Sequence, residues 1–148
     1  AETLGGRNDF VATMNMLALG LQMENTNFTN PAGFDEPENY SSAFDMALLT
    51  RHLLNEEPLL RLIVGTRRHI IESNSDHGCG PTNLNRLLSE YPGAFGVKTG
   101  KTGRAGYTLV AAAERNGRTL LAVVLGSKTH FDDAARLLEF GFSTTSQP

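Results

Sequence analysis

The residue pair Asn116-Gly117 constrains this chain more than any other feature of its sequence. It separates two β-compatible runs, residues 107–113 and 118–125, and Asn-Gly is the pair a type I′ turn favours because both central residues must take positive φ. A two-stranded hairpin is therefore expected. Leu109, Val110, Leu120, Leu121, Val123 and Val124 place apolar side chains on both faces of that hairpin, so each strand has to be covered on both sides. This implies a layered α/β/α arrangement.

Upstream, Phe10, Met14, Leu17 and Leu21 recur at steps of four, three and four, which predicts a helix capped by Asn8 or Asp9 with this stripe in the core. Residues 25–40 gather Asn, Pro, Gly and Asp without a period and read as an ordered surface loop, punctuated by Asn30-Pro31 and Gly33. Ser42 and Asp45 resemble a capping box, opening a helix that carries Phe44, Ala47, Leu48 and Leu53 toward Asn55. Pro58 suits the first turn of a short helix reaching Val64. Residues 67–73 have strand character, and residues 74–83 are turn-rich ahead of Leu84, Leu87 and Leu88. The last helix has Asp132 and Asp133 at its positive end and Phe131, Ala134, Ala135 and Leu138 toward the core, and is expected to stop at Gly141. Residues 1–142 then form one unit, and residues 143–148 a polar tail or linker stump.

Composition narrows the function. A net charge of −3 on 148 residues argues against a nucleic-acid partner, since such domains carry a basic excess that releases counterions. The apolar run at residues 120–125 is far shorter than the roughly 20 residues a bilayer requires. The chain opens at Ala1 rather than Met, as a mature or trimmed product would. The one cysteine, Cys79, excludes an intrachain disulfide; it reads as an idle or buried thiol, with a thiol nucleophile beside His77 as the alternative. His52, His69, His77 and His130 form no ligand motif, so neither a metal nor another cofactor is expected.

Chemistry concentrates just before the hairpin, where Lys98-Thr99-Gly100 is followed at once by Lys101-Thr102-Gly103 and Arg104. One K-T-G is common and could be a solvated turn. Its context carries more weight: residues 96–102 followed by Gly106-Tyr107 at the head of an apolar strand resemble the third active-site motif of penicillin-recognising serine enzymes. Met14-Asn15, Asn25-Thr26-Asn27-Phe28, Asn30-Pro31, Gly33, the run from Tyr40 through Ala47, and the run from Leu137 through Phe142 extend this over nearly the whole chain. In these blocks the sequence resembles the low-molecular-mass D-alanyl-D-alanine carboxypeptidases, and they separate it from a related β-lactamase.

The resemblance implies an α/β (α+β) fold: part of a penicillin-binding/β-lactamase-like three-layer α/β/α domain with an antiparallel sheet whose N-terminal strands are absent here. It also implies acyl transfer from a peptidoglycan stem peptide ending in D-Ala-D-Ala to an active-site serine, trapped by β-lactams. The family's S-x-x-K and S-x-N motifs are missing. None of Ser41, Ser42, Ser73, Ser75, Ser89, Ser127, Ser143 and Ser146 is followed by Lys at the third position or Asn at the second, so this chain supplies no nucleophile and should be inactive alone. The family places both motifs upstream, which makes the chain a C-terminal portion whose complementary N-terminal segment is the expected partner.

By the same resemblance Lys98 supplies positive potential and helps move protons, Thr99 hydrogen-bonds the substrate carboxylate, and Gly100 lets the strand approach the ligand. The Lys101 backbone N–H becomes an oxyanion-hole donor, a type of contact worth about 10²–10³ in rate. His130 stands where family members often carry an Arg for the leaving D-alanine's carboxylate. Arg stays charged and presents a fork of donors, whereas imidazole is charged only toward acid pH, so carboxylate affinity should fall as pH rises through its titration. The family pairs residues 118–125 with an upstream strand, and alone that apolar edge would invite association. A cell-envelope location, periplasmic or otherwise extracytoplasmic, follows from the resemblance, and the full-length protein could be membrane-associated. The alternative is a noncatalytic peptidoglycan-binding or interaction module.

Overall fold

The computed structural model describes residues 5–70 and 80–144. In chain order these form helices α1 (Arg7–Gly20), α2 (Ala43–Glu56), α3 (Pro58–Gly65) and α4 (Leu87–Glu90), strands β1 (Ala94–Thr102), β2 (Gly106–Arg115) and β3 (Arg118–Val124), and helix α5 (His130–Thr144). The strands make one antiparallel sheet in the order β1-β2-β3. The hairpin expectation holds: Asn116 and Gly117 have φ of 52° and 75°, and Arg115 pairs with Arg118 across the turn.

Strand β2 occupies the centre because it is apolar on both faces. On one face Leu109, Ala111 and Ala113 join Ala122 and Val124 of β3 and Ala134 and Leu138 of α5 in the core cluster. The opposite face, with Ala112 fully buried, turns toward α2 and α3, which contact β3 and β1 respectively. The sheet thus lies between two helical layers, as an α/β/α fold requires. Small side chains in β2 allow both layers to come close.

Several expectations are corrected by the packing. Helix α1 begins at Arg7, with Gly6 as cap residue at φ 109°, a conformation open mainly to glycine, so neither Asn8 nor Asp9 caps it. Within that helix Leu17 is 43% exposed while Ala18 is buried. The covered face therefore passes through Ala18 and on to Met23, and only Met14 of the expected stripe lines the neighbouring cavity with Phe28 and Met46. Helix α5 does not stop at Gly141 but continues to Thr144, two residues into the stretch read as tail. A Cβ on Gly141 would lie 2.8 Å from Leu120 Cδ1, so this glycine serves close helix–strand contact. A strand was expected over residues 67–73; the described part, residues 67–70, contributes an isolated bridge, Arg68 to Thr82, and residues 71–73 lie outside the described residues. Cys79, His77 and the rest of residues 71–79 lie outside the described residues, as do residues 145–148.

The start of α2 explains how the irregular segment before it is anchored. Ser42 Oγ accepts from the Asp45 N–H at 3.1 Å, giving one half of the expected capping box. The Asp45 carboxylate itself accepts from the Asn25 N–H at 2.8 Å and the Thr26 hydroxyl at 2.7 Å. It is almost fully buried, and the Thr26 hydroxyl, followed by the Asn25 N–H and Ser42, holds its pKa below the ordinary 3.8 against the opposing effect of burial. A lowered carboxyl pKa stabilises the fold above its unfolded value and ceases to do so as pH falls through the folded value. Asp45→Asn should accordingly lower the melting temperature of the assembled protein at neutral pH, with the gap to wild type closing below about pH 4; a gap independent of pH would refute this account.

Candidate functional site

Lys98, Thr99, Gly100 and Lys101 occupy consecutive positions of β1, facing Val110, Leu109, Thr108 and Tyr107 of β2. Because side chains alternate, Thr99 and Lys101 share the α5 face with Leu109 and Tyr107. Lys98 and Gly100 share the face turned to α2 and α3. Strand β1 is an edge of the sheet, so the K-T-G residues carry one ladder and leave the other side of the strand unpaired among the described residues. The Lys98 ammonium is exposed and donates to the Thr99 carbonyl.

Two sets of contacts seat the beginning of this strand. Asn85, 2% exposed, donates from Nδ2 to the Gly96 carbonyl at 2.9 Å and accepts the Leu87 N–H at 3.2 Å. Asn83 in turn donates to the Val64 and Thr66 carbonyls at 3.1 and 3.2 Å, tying the segment to the end of α3. On the helix itself, the Arg61 guanidinium lies 4.0 Å from the Phe95 ring centroid and pairs with Glu114 at 2.5 Å. The α3 layer also depends on missing side chains: a Cβ on Gly96 would sit 2.9 Å from Val64 Cγ2, and one on Gly65 would sit 3.0 Å from the Phe95 carbonyl oxygen.

At the other end of the motif, Lys101 Nζ is 4.5 Å from the Tyr107 ring centroid, a cation–π contact of about 0.5–1 kcal/mol when exposed. Tyr107 stacks on His130 with centroids 5.0 Å apart and planes 8° from parallel. His130 also meets Phe131 at 4.2 Å, and its Nδ1 is buried with no hydrogen-bond partner among the described residues. The structure therefore brings His130, thirty-odd positions downstream, to the Lys101 end of the K-T-G strand.

The first turn of α5 fixes that placement. The Ser127 and Thr129 hydroxyls donate to Asp133 Oδ2, the latter at 3.0 Å, while the Asp133 N–H donates to the Thr129 carbonyl at 2.9 Å. The Ser127 hydroxyl foremost, then Thr129, keeps the Asp133 carboxyl below its ordinary range. An anionic cap of this kind suits the positive end of the helix.

Gly100 has an internal reason to be glycine besides the expected close approach of a ligand. A Cβ there would lie 2.5 Å from Thr108 Oγ1 on the neighbouring strand. Cavities of about 350 Å³ beside Met14, Phe28 and Pro31 and about 480 Å³ beside Leu62, Ile63 and His69 are lined by no residue of β1. What the K-T-G strand presents is an open edge, suited to an extended peptide that adds itself as a strand. Among the described residues no group of three His, Cys, Asp or Glu could hold a metal ion, and no helix is long and apolar enough to cross a membrane.

Sequence reasoning missed Asn83, Asn85, Tyr107 and Asp35, whose carboxylate accepts the Arg104 N–H at 2.9 Å across 69 positions. Tyr107 was quoted as the head of a strand, but its stacking on His130 depends on tertiary placement. The asparagines and Asp35 were legible only as loop formers.

The family profile described as D-alanyl-D-alanine carboxypeptidase matches residues 1–129, ending one residue before His130. D-alanyl-D-alanine carboxypeptidase DacF of Bacillus subtilis is 40% identical over 142 residues, covering 94% of this chain and 36% of that protein. The crystal structure of a D-alanyl-D-alanine carboxypeptidase from Mycobacterium tuberculosis H37Rv superposes with TM-score 0.86 at 34% identity, covering 99% of this chain and 58% of the other. The Streptomyces K15 DD-transpeptidase gives TM-score 0.85 at 32% identity, with 92% and 55% covered. This chain belongs to the D-alanyl-D-alanine carboxypeptidase family. It spans between about a third and three-fifths of the length of these relatives.

The crowding at Gly100 yields a direct test. Gly100→Ala should destabilise the assembled protein by about 1–3 kcal/mol through overpacking, and adding Thr108→Ala should recover most of that loss in thermal unfolding. A double variant no more stable than Gly100→Ala would show that Thr108 is not what the glycine accommodates.

Proposed function

We propose that this chain forms the K-T-G wall of a peptidoglycan D-Ala-D-Ala carboxypeptidase whose nucleophilic serine comes from an upstream segment. The observation that carries the reading is the placement of Lys98-Thr99-Gly100 on an edge strand with one side unpaired, within a chain of this family. The substrate's terminal dipeptide lies along that edge. The serine oxygen attacks the carbonyl of the penultimate D-alanine and gives up its proton, the tetrahedral intermediate collapses as the terminal D-alanine leaves with a proton on its nitrogen, and water then hydrolyses the acyl-enzyme. Lys98 lends positive potential and assists proton transfer, Thr99 binds the carboxylate, and the Lys101 N–H meets the developing oxyanion. A β-lactam acylates the same serine as its ring opens. Such an enzyme works at the cell envelope, outside the cytoplasm, where its substrate lies.

The complementary segment also completes the sheet. Strand β3 is the other edge, and its Leu121 and Val123 are half-buried, so an added strand would satisfy their backbone groups and cover them. The chain without that segment should self-associate in analytical ultracentrifugation, and a monodisperse monomer would argue against this role for β3.

Labelled penicillin followed by intact-mass measurement tests the central reading. The adduct should appear on the upstream segment and not on this chain, and Lys98→Ala should slow its formation by about 10²–10⁴, the usual range for losing a proton-transfer group. An adduct on this chain would overturn the assignment of the nucleophile. Binding of the stem peptide by a folded assembly that never forms an adduct would favour a noncatalytic peptidoglycan-binding module.

His130 is the proposed carboxylate contact, with Nε2 as the available nitrogen because Nδ1 is buried. His130→Ala should lower kcat/KM for a D-Ala-D-Ala peptide about tenfold, as befits one hydrogen bond to a charged group. An unchanged kcat/KM in the folded variant would exclude His130 as that contact.

A further inference from the structure

We propose that Asp35 is a positioning residue for the K-T-G strand: a latch from the loop at residues 25–40 that fixes the turn where β1 ends and thereby sets the aim of the Lys101 N–H. The proposal rests on the acyl-serine reading above. Among the described residues strand β1 has a ladder on one side only, so its course depends on what holds its two ends. Its beginning is seated by Asn85 on the Gly96 carbonyl and by the close contact with α3. Its far end runs straight from Lys101 into the turn at residues 103–105, and there Asp35 reaches the turn from outside.

The contact has the geometry of a latch. Asp35 Oδ2 accepts the Arg104 N–H at 2.9 Å, while a Cβ on Gly103 would lie 3.5 Å from the same oxygen. Inside the turn the Ala105 N–H donates to Thr102 Oγ1 at 3.0 Å, so Thr102 braces it from within and Asp35 from without. The Thr102 hydroxyl foremost, then the Arg104 N–H, hold the Asp35 carboxyl below its ordinary range against desolvation, with lesser help from the Arg104 charge and the Gly103 N–H. It is thus the ionised, stronger acceptor that meets the turn.

The loop behind Asp35 is built to keep it in place. Residues 25–40 contain no helix or strand, yet side-chain amides hold them at many points. Asn15 donates to the Phe28 carbonyl and accepts its N–H, both at 2.8 Å. Asn30, 2% exposed, accepts the Ala32 and Phe34 N–H groups at 3.2 and 2.9 Å and donates to the Phe34 carbonyl at 3.1 Å. Asn39 donates to the same carbonyl at 3.0 Å, and Arg7 of α1 pairs with Glu36 at 2.9 Å. Phe34, the residue before Asp35, therefore has both of its backbone groups fixed. A long irregular segment ordered to this degree gives a carboxylate a defined position relative to helix α1, and that position serves the turn that joins β1 to β2.

The test uses the assembled enzyme, this chain with its upstream segment, and follows labelled-penicillin acylation over a concentration series that separates non-covalent binding from the acylation rate constant. Asp35→Ala should lower the rate constant about tenfold, since small misplacements of a catalytic group carry losses of that order, and should change non-covalent penicillin binding less than about twofold. Asp35→Asn keeps an acceptor for the Arg104 N–H and should stay within about threefold of wild type. If Asp35→Ala does not fold, Thr102→Val serves the same purpose, with an expected slowing of about threefold to fivefold. A wild-type rate constant in a folded latch variant would overturn the proposal, as would a loss confined to the fraction of protein that labels. A wild-type assembly that forms no adduct would instead bring down the acyl-serine reading itself, and this proposal with it.

Discussion

Burial of strand β2 on both faces is the constraint on which the rest of the structure depends. Leu109, Ala112 and Ala113 are fully buried and Ala111 nearly so, which requires a helical layer on each side and a strand on each edge. The first layer is α5, resting on the face of Leu109 and Ala111 through Ala134 and Leu138. The second comes from α2 and α3. Once those layers are in place, the register of β2 with β1 fixes where Lys98, Thr99, Gly100 and Lys101 stand. The motif's position is therefore a consequence of core packing.

The elements whose signals are local were legible in the sequence. Asn116-Gly117 announced the hairpin because positive φ is a property of the residues themselves. Pro58 marked the start of α3 and Ser42 the start of α2 for similar reasons, since a fixed φ and a side-chain acceptor act within one turn. Signals that compete with tertiary contact were misread. Gly141 ordinarily ends a helix, yet here it lies within α5 because Leu120 needs the space. Leu17 has the right period for the core, but Ala18 is the residue the neighbouring elements cover.

The site divides in the same way. K-T-G was readable as a motif, and its proposed roles rest on family resemblance; the stacking of His130 on Tyr107 and the reach of Asp35 to Arg104 were not readable, because each joins residues whose separation has no period. Residues 25–40 illustrate the point. Their composition predicted a loop correctly, while the hydrogen bonds that order it come from Asn15, Asn30 and Asn39, whose partners are backbone groups without sequence identity. Such contacts leave almost no trace in a single sequence.

The contact between α3 and β1 has a further consequence. Their separation is set by two absent side chains, at Gly65 and Gly96, one opposite the Phe95 carbonyl and the other opposite Val64. Gly96 lies two residues before Lys98, so a change of one methyl group in the helical layer, at Val64 for instance, would displace the strand by a fraction of an ångström without altering any residue of the K-T-G motif. Selection or engineering can therefore shift the K-T-G strand from a distance, through a spacer whose thickness is adjustable in steps of single carbon atoms.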